Sequence, residues 1–351
     1  MHEQYLLAAL EQAWLGRGRC APNPAVGAVA VANGHILAKA FHPGAGQAHA
    51  EVLLLAQFPS GTPEVTVYVT LEPCNHWGKT PPCVDALIRH GVSRVVYGYR
   101  DPHPLVAHHN TPELLSAAGI EVIFCPLPEI DEFYTSYCHW VQSGLPRVTV
   151  KTAQTFDGRI AGHGGKAIHI TNDSTDRFTH TQRLYADVIL STARTIATDN
   201  PALNARLDGR THGRPVAILD SQGTMSVNAR LLETASHVYL FHRKDACVPA
   251  HPRISAYPVP GEGEFLDLRA VFAKLGELGF QDVWVEAGAT LFASLHREAL
   301  VARTYLILVP RVLGESAVAA FTDADIFARP HTVSWQESGN NMIACFDWQE
   351  G

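Results

Sequence analysis

His49, Cys74 and Cys83 bring one imidazole and two thiols into a single short stretch of chain, and Glu51 stands two residues after the histidine. Those are the ligands of a tetrahedral zinc ion that keeps its fourth position for water, whose pKa the metal lowers to about 7. A hydroxide nucleophile is then available at neutral pH. His49-Ala50-Glu51 opens a predicted helix, so Glu51 can face the open position without ligating and can pass a proton to a leaving group. The competing arrangement is a closed structural site with His76 or His42 as fourth ligand, which has no use for a carboxylate beside the metal. A phosphate loop at Gly78-Lys79-Thr80 is excluded, because that motif needs glycine five positions before Gly78 and Pro73 stands there.

These side chains have to be held by ordered elements. Apolar residues at helical spacing predict a helix over 5–14, stopped by Gly16 and Gly18 before Pro22-Asn23-Pro24 turns the chain. An apolar run predicts a strand at 26–31 and alternating β-branched residues predict strands at 65–71, 94–97 and 121–124, with helices between them at 50–57, 83–90 and 112–118. The last two helices should end in left-handed caps at Gly91 and Gly119. The pattern pauses at Ser143-Gly144-Leu145-Pro146, which sets expected domains at 1–146 and 147–351. Beyond it, strands are predicted at 148–152, 186–190, 215–219, 237–241, 282–286 and 305–309, and helices at 175–185, 268–278 and 290–300. Residues 249–263, rich in Pro and Gly, are expected to form one long connection. Alternation of strand and helix in both halves predicts two three-layer α/β domains.

Composition narrows the partner. With 351 residues, about two domains are expected. Lys+Arg 27 against Asp+Glu 34 leaves a net charge of −7, without the clustered cations that a nucleic-acid backbone requires, so a small molecule is the expected partner. Seven cysteines, an odd number, cannot all pair, which favours a reducing cytoplasm. The acidic start Met1-His2-Glu3-Gln4 and the lack of any apolar run near 18 residues predict neither export nor membrane insertion. The dinucleotide signals Gly16-x-Gly18-x-x-Ala21 and Gly162-x-Gly164-x-x-Ala167 are weak, the first because it follows a helix. Glu286-Ala287-Gly288-Ala289-Thr290-Leu291 is a strand end turning into a helix, whose free N–H groups can receive a pyrophosphate.

Zinc-dependent nucleobase deaminases carry H-x-E…P-C-x-x-C. Here eight residues separate the cysteines instead of two. The run Thr70-Leu71-Glu72-Pro73-Cys74-Asn75-His76-Trp77-Gly78-Lys79-Thr80-Pro81-Pro82-Cys83, with Pro22-Asn23-Pro24-Ala25-Val26-Gly27, His42 and the His49/Glu51 pair, closely resembles the bifunctional riboflavin-biosynthesis deaminase/reductase family. The resemblance implies a cytidine-deaminase-like first domain that hydrolyses an amino group from 2,5-diamino-6-(5-phosphoribosylamino)pyrimidin-4-one. In it His49, Cys74 and Cys83 hold zinc, Glu51 shuttles the proton, and Asn23, His42, His76, Lys79 and Asp101 contact base, ribose or phosphate.

The second half continues the likeness through Lys151-Thr152-Ala153-Gln154-Thr155-Phe156-Asp157-Gly158-Arg159, Ile170-Thr171, Arg183, Ala186-Asp187, Thr195, Asp199 to Leu203, Arg206, Leu219-Asp220-Ser221 and Glu286 to Leu291. It implies a dihydrofolate-reductase-like domain that uses NADPH to reduce the ribosyl arm to ribityl. The cofactor would lie against Ala153, His169, Thr195, Asp199, Ser221, Gly288, Ala289, Thr290 and Leu291, and the substrate against Ala167, Arg183, Leu203, Arg206 and Glu286. A guanidinium suits that role because its fork binds phosphate bidentately. The resemblance also implies a homo-oligomer, a dimer or tetramer. The chain departs from the family at His103 in place of Asn, at His108 and Asn110 in place of glycines, and at His169 for Trp, Ala167 for Ser and Ala287 for Gly; Val301-Ala302-Arg303 lacks the usual acidic residues. Loss of an aromatic stacking surface at His169 is worth about 1 kcal/mol of cofactor binding. The alternatives are a deaminase with an inactive reductase-like domain, and a non-catalytic nucleotide-binding relative whose zinc is structural.

Overall fold

The computed structural model describes residues 2–77, 81–104, 110–323 and 325–349. It divides into two compact units, Met1–Gly144 and Leu145–Gly351, each built on one main sheet. Among the described residues no helix is long and apolar enough to cross a membrane.

In the first unit β1 (Gly27–Ala32), β2 (His35–Phe41), β3 (Thr66–Leu71), β4 (Arg94–Tyr99) and β5 (Glu121–Phe124) lie in the order β2-β1-β3-β4-β5. β1 is antiparallel to both neighbours, whereas β3, β4 and β5 run parallel. Every residue of β1 and β3 is buried, because helices cover both faces; hence the unbroken apolar sequence of β1, while β3 buries Thr66 and Thr70 among its apolar residues. Helices His2–Gly16 and Pro128–Ser143 bring Leu6, Ala9, Phe133 and Tyr134 onto Val29, Tyr68 and Val96. On the other face, helices Ala50–Leu55, Cys83–His90 and Thr111–Ala117 bring Leu54, Leu87 and Leu115 onto Ala30, Val67 and Val95. Gly27 permits the close approach of the first helix, since a Cβ there would lie 2.0 Å from the Ala9 carbonyl oxygen. Gly91 caps its helix at φ 77, as expected, while Ala118 caps the next one and Gly119 follows at φ 82.

Two elements of this unit escape the periodicity. β2 exposes His35, Ile36 and Leu37, so it lacks an alternating pattern, and helix Pro128–Ser143 runs straight into the domain boundary.

The second unit carries β6 (Arg147–Thr155), β7 (Val188–Thr192), β8 (Pro215–Leu219), β9 (His237–His242), β10 (Ile254–Pro258), β11 (Asp282–Glu286), β12 (Arg303–Val309), β13 (His331–Ser338) and β14 (Asn341–Trp348). Their order in the sheet is β10-β9-β8-β7-β11-β6-β12-β14-β13, parallel from β10 to β12 and antiparallel in the last two pairings. Helices Leu268–Glu277 and Ala289–Arg297 pack Val271, Phe272, Phe292 and Leu295 on one face, over Val150, Leu190 and Val285. Ile196, Leu231 and Leu232 cover Ile189, Ile218 and Trp284 on the other.

Three expectations are corrected. Residues 249–263 are not a plain connection, for they contain β10 and the strand Gly261–Glu262, which pairs with Phe265–Leu266. The strand expected at 186–190 lies at Val188–Thr192, because the Asp187 carboxylate accepts from the backbone N–H groups of Gln281 and Asp282 ahead of β7. The closing hairpin β13–β14 was not expected; β13 is an edge strand, exposed along most of its length, and has no apolar face to read.

Candidate active sites

His49 caps helix Ala50–Leu55, Cys83 begins helix Cys83–His90, and Cys74 lies in the loop leaving β3. The Val84 N–H donates to the Cys74 carbonyl at 3.2 Å and ties that loop to the helix start. His49 Nδ1 is 3.2 Å from Cys83 Sγ and 3.4 Å from Cys74 Sγ, and the three ligand atoms lie within 4.8 Å of one another. Zinc–sulfur and zinc–nitrogen bonds of about 2.3 and 2.0 Å give a tetrahedron with edges of about 3.5 Å, so the donor set fits the ion in type and spacing. Among the described residues the group closes at these three. His42 is not a fourth ligand, since its Nδ1 meets the Ala48 carbonyl at 3.0 Å and its Nε2 meets Asn23 Nδ2 at 3.2 Å.

The electrostatics follow from burial around these donors. The Cys74 thiol is held down to about 4 by hydrogen bonding from Cys83 and His49, and Cys83 is pushed up because Cys74 takes the charge. The Cys74 thiolate in turn holds His49 above the usual range, against its burial. Glu51 is only 4% exposed, and burial, reinforced by the Cys74 charge, pushes its carboxyl up to about 7. Proton transfer near neutral pH requires a group of that strength.

A cavity of about 400 Å³ opens over these groups, and Asn23, His42, Glu51, His76 and Asp101 all face it. Lys79 lies outside the described residues. His42 is pushed toward its neutral form by burial, and the His49 charge adds to the effect. Asp101 is buried, which raises its carboxyl; its Oδ1 accepts from the His103 N–H at 2.9 Å and the Tyr137 hydroxyl at 3.0 Å. Tyr137 and Trp140, also in the wall, come from the unforeseen helix Pro128–Ser143. A Pro at its start and the left-handed Gly144 after it were the available signals.

In the second unit the expected cofactor residues collect at the carboxyl ends of the parallel strands, the edge where open α/β sheets take ligands. Ala153 lies near the end of β6, Thr195 follows β7, Ser221 follows β8, and Gly288, Ala289, Thr290 and Leu291 follow β11. Gly288 caps helix Ala289–Arg297, and a Cβ there would meet no atom within 4 Å, leaving the helix N-terminus open. Asp199 ends helix Ala193–Asp199, where burial raises its carboxyl. His169 is exposed and its Nε2 lies 3.0 Å from Asp176 Oδ2, while Ala167 is exposed in the same loop.

Arg183, expected against the substrate, is already engaged within the chain. Its Nε and Nη2 grip the two oxygens of Glu286 at 2.5 and 2.8 Å and its Nη1 donates to the Asn204 carbonyl at 3.0 Å. Burial would raise the Glu286 carboxyl, yet the Arg183 guanidinium holds it at about 2, helped by Lys151 and the Trp284 N–H. Lys151, not assigned any role from the sequence, stands in register beside Glu286 and is pushed down by burial. Arg206 is exposed, its Nη1 donating to Asn204 Oδ1 at 2.9 Å, and Leu203 is buried in a left-handed turn at φ 43.

Fold and sites together define a metal-dependent deaminase unit followed by a second, largely parallel α/β unit. Residues 1–99 match the cytidine and deoxycytidylate deaminase zinc-binding region, and residues 146–344 match the RibD C-terminal domain. The riboflavin biosynthesis protein RibD of Escherichia coli K12 is 33% identical over 328 residues, covering 90% of this chain and 89% of that protein. That of Haemophilus influenzae is 34% identical over 327 residues, covering 89% and 87%. The solved RibD of Acinetobacter baumannii superposes with a TM-score of 0.86 at 28% identity, covering 99% of both chains. A Thermotoga maritima diaminohydroxyphosphoribosylaminopyrimidine deaminase/5-amino-6-(5-phosphoribosylamino)uracil reductase does so with 0.86 at 30% identity and the same coverage. The chain belongs to the RibD family, and is an enzyme with a zinc-binding deaminase domain and an NADPH-dependent reductase domain.

Proposed function

We propose that this chain deaminates 2,5-diamino-6-(5-phosphoribosylamino)pyrimidin-4-one and then reduces the ribosyl arm of the product to ribityl, two steps of riboflavin biosynthesis. The observation that carries the reading is Glu51, buried beside three zinc-type donors on the wall of a cavity large enough for a nucleotide. His49, Cys74 and Cys83 would hold zinc, which would supply a water acidified to about 7. Glu51 takes a proton on its carboxylate and returns it to the departing amino nitrogen, so that water enters and ammonia leaves. Asn23, His42, His76 and Asp101 orient the base and its ribosyl phosphate. His42 does so as a neutral ring, its Nδ1–H held by the Ala48 carbonyl.

Ala153, Thr195, Asp199, Ser221 and the Gly288–Leu291 turn would hold NADPH, which would supply hydride to C1 of the opened ribose. The Arg183–Glu286 pair forms the substrate wall, and the exposed Arg206 offers its guanidinium to the phosphate. The enzyme acts in the cytoplasm as a homo-oligomer, a dimer or tetramer, which sedimentation analysis tests directly.

One coupled assay tests the reading: ammonia release from the diaminopyrimidine, followed by NADPH oxidation. Ammonia without NADPH loss would leave only the deaminase, an outcome made specific by His169, which is paired to Asp176 where the resemblance calls for a Trp. Neither reaction, with zinc bound, would point to a nucleotide-binding protein.

A further inference from the structure

Asp101 follows β4, is 7% exposed and borders the cavity of the first unit. The two donors that reach it among the described residues converge on one oxygen. The His103 N–H comes from two residues along the chain, and the Tyr137 hydroxyl comes from the separate helix Pro128–Ser143. Among the described residues Oδ2 accepts from no side chain. Asp101 lines the cavity, so this second oxygen is available to a ligand that brings an N–H or O–H to it.

Tyr137 is built to hold this arrangement. It is 4% exposed, edge-on to Tyr134 at 6.4 Å and stacked with Trp140 at 6.4 Å, so its ring has little freedom. Tyr134, beside it, spends its own hydroxyl on the Ala25 carbonyl and Thr70 and offers nothing to the cavity. A turn hydrogen bond from His103 alone would let the carboxyl plane rotate; a second bond from a packed helix fixes it.

We propose that Tyr137 is a positioning residue for deamination, its phenol setting Asp101 so that the second carboxylate oxygen meets an N–H or O–H donor of the pyrimidine substrate. The proposal rests on the reading of Asp101 as a substrate contact. The Tyr137 hydroxyl donates to Asp101 and to neither the zinc donors nor Glu51, so its influence passes through Asp101 and falls on binding more than on proton transfer.

The test is a double-mutant cycle of Tyr137→Phe and Asp101→Asn in the full chain, reading KM and kcat for ammonia release, zinc content and Tm. Tyr137→Phe keeps the packed ring. It is expected to raise KM roughly tenfold, the scale of a lost hydrogen bond to a charged group, with kcat within about twofold and zinc and Tm unchanged. In the Asp101→Asn background it should add less than about twofold. Equal effects of Tyr137→Phe in both backgrounds, or an unchanged KM in the single variant, overturn the positioning role while leaving Asp101 as a substrate contact. An unchanged KM in Asp101→Asn overturns both. NADPH oxidation by the second unit, supplied with deaminated substrate, serves as the control for general damage and should not change.

Discussion

Replacing Glu51 by glutamine keeps the size of the side chain and removes its capacity to give or take a proton. We expect Glu51→Gln to retain zinc and to lose ammonia release by about 10²- to 10⁴-fold, the range for a positioned acid–base group; full activity with metal bound would exclude the shuttle. The pair Arg183–Glu286 predicts a different outcome in the second unit. Arg183→Lys offers one compact ammonium where a planar fork grips both carboxylate oxygens, leaving part of a buried carboxylate unpaired, so stability falls by about 1–3 kcal/mol by denaturant titration. These two residues also mark how far a sequence can be read. Metal chemistry restricts residue types so tightly that His49, Glu51, Cys74 and Cys83 stand out along the chain. An arginine does not announce its partner: Arg183 and Glu286 are far apart in sequence, and the phosphate-binding fork expected from the one is engaged by the other.

At the scale of elements, a single glycine sets the distance between the first helix and the sheet. Gly27→Ala places a Cβ 2.0 Å from the Ala9 carbonyl and 2.4 Å from the Ala13 N, both backbone atoms, so helix His2–Gly16 must move away. Overpacking of this kind costs about 1–3 kcal/mol, readable as a lower denaturant midpoint of the first unit. Helix Ala289–Arg297 carries a pH response. His296 is buried among Phe292, Phe327 and Trp348, and burial, with the Arg329 charge, pushes its ring down to about 4. Its folded pKa lies below the unfolded value near 6.5, so the unfolded chain binds more protons between them and stability is lost as pH falls from about 6.5 to 4. The loss amounts to roughly 3 kcal/mol, and His296→Gln should flatten the fall in Tm across that window. Most of the longer helices and the inner strands were legible because burial on one or both faces imprints a period or an apolar run, whereas the short helices Ala193–Asp199 and Leu231–Thr234 are too brief to show one. β2 and β13, half or mostly exposed, carry no such imprint, and helix Pro128–Ser143 was lost at a boundary even though its Tyr137 reaches the cavity.

For the whole molecule, two chemistries on two sheets predict separable inactivation. A chelator that strips zinc should abolish ammonia release and leave NADPH oxidation of already deaminated substrate intact; parallel loss of both would tie the second reaction to the metal. Acid acts on the second unit in two stages. Glu286, held at about 2 by Arg183 against its burial, has a folded pKa below the ordinary 4.5, so its contribution is present above pH 4.5 and disappears as pH falls toward 2, below the window in which His296 acts. The order of strands in the second unit has a kinetic consequence. β6, at Arg147–Thr155, finds its two sheet neighbours only in Asp282–Glu286 and Arg303–Val309. A chain cut before residue 282 would leave that strand with both edges bare, an invitation to aggregate. Pairings so distant in sequence close large loops and slow the search, so the second unit should refold more slowly than the first and should be the part that most needs protection while it does.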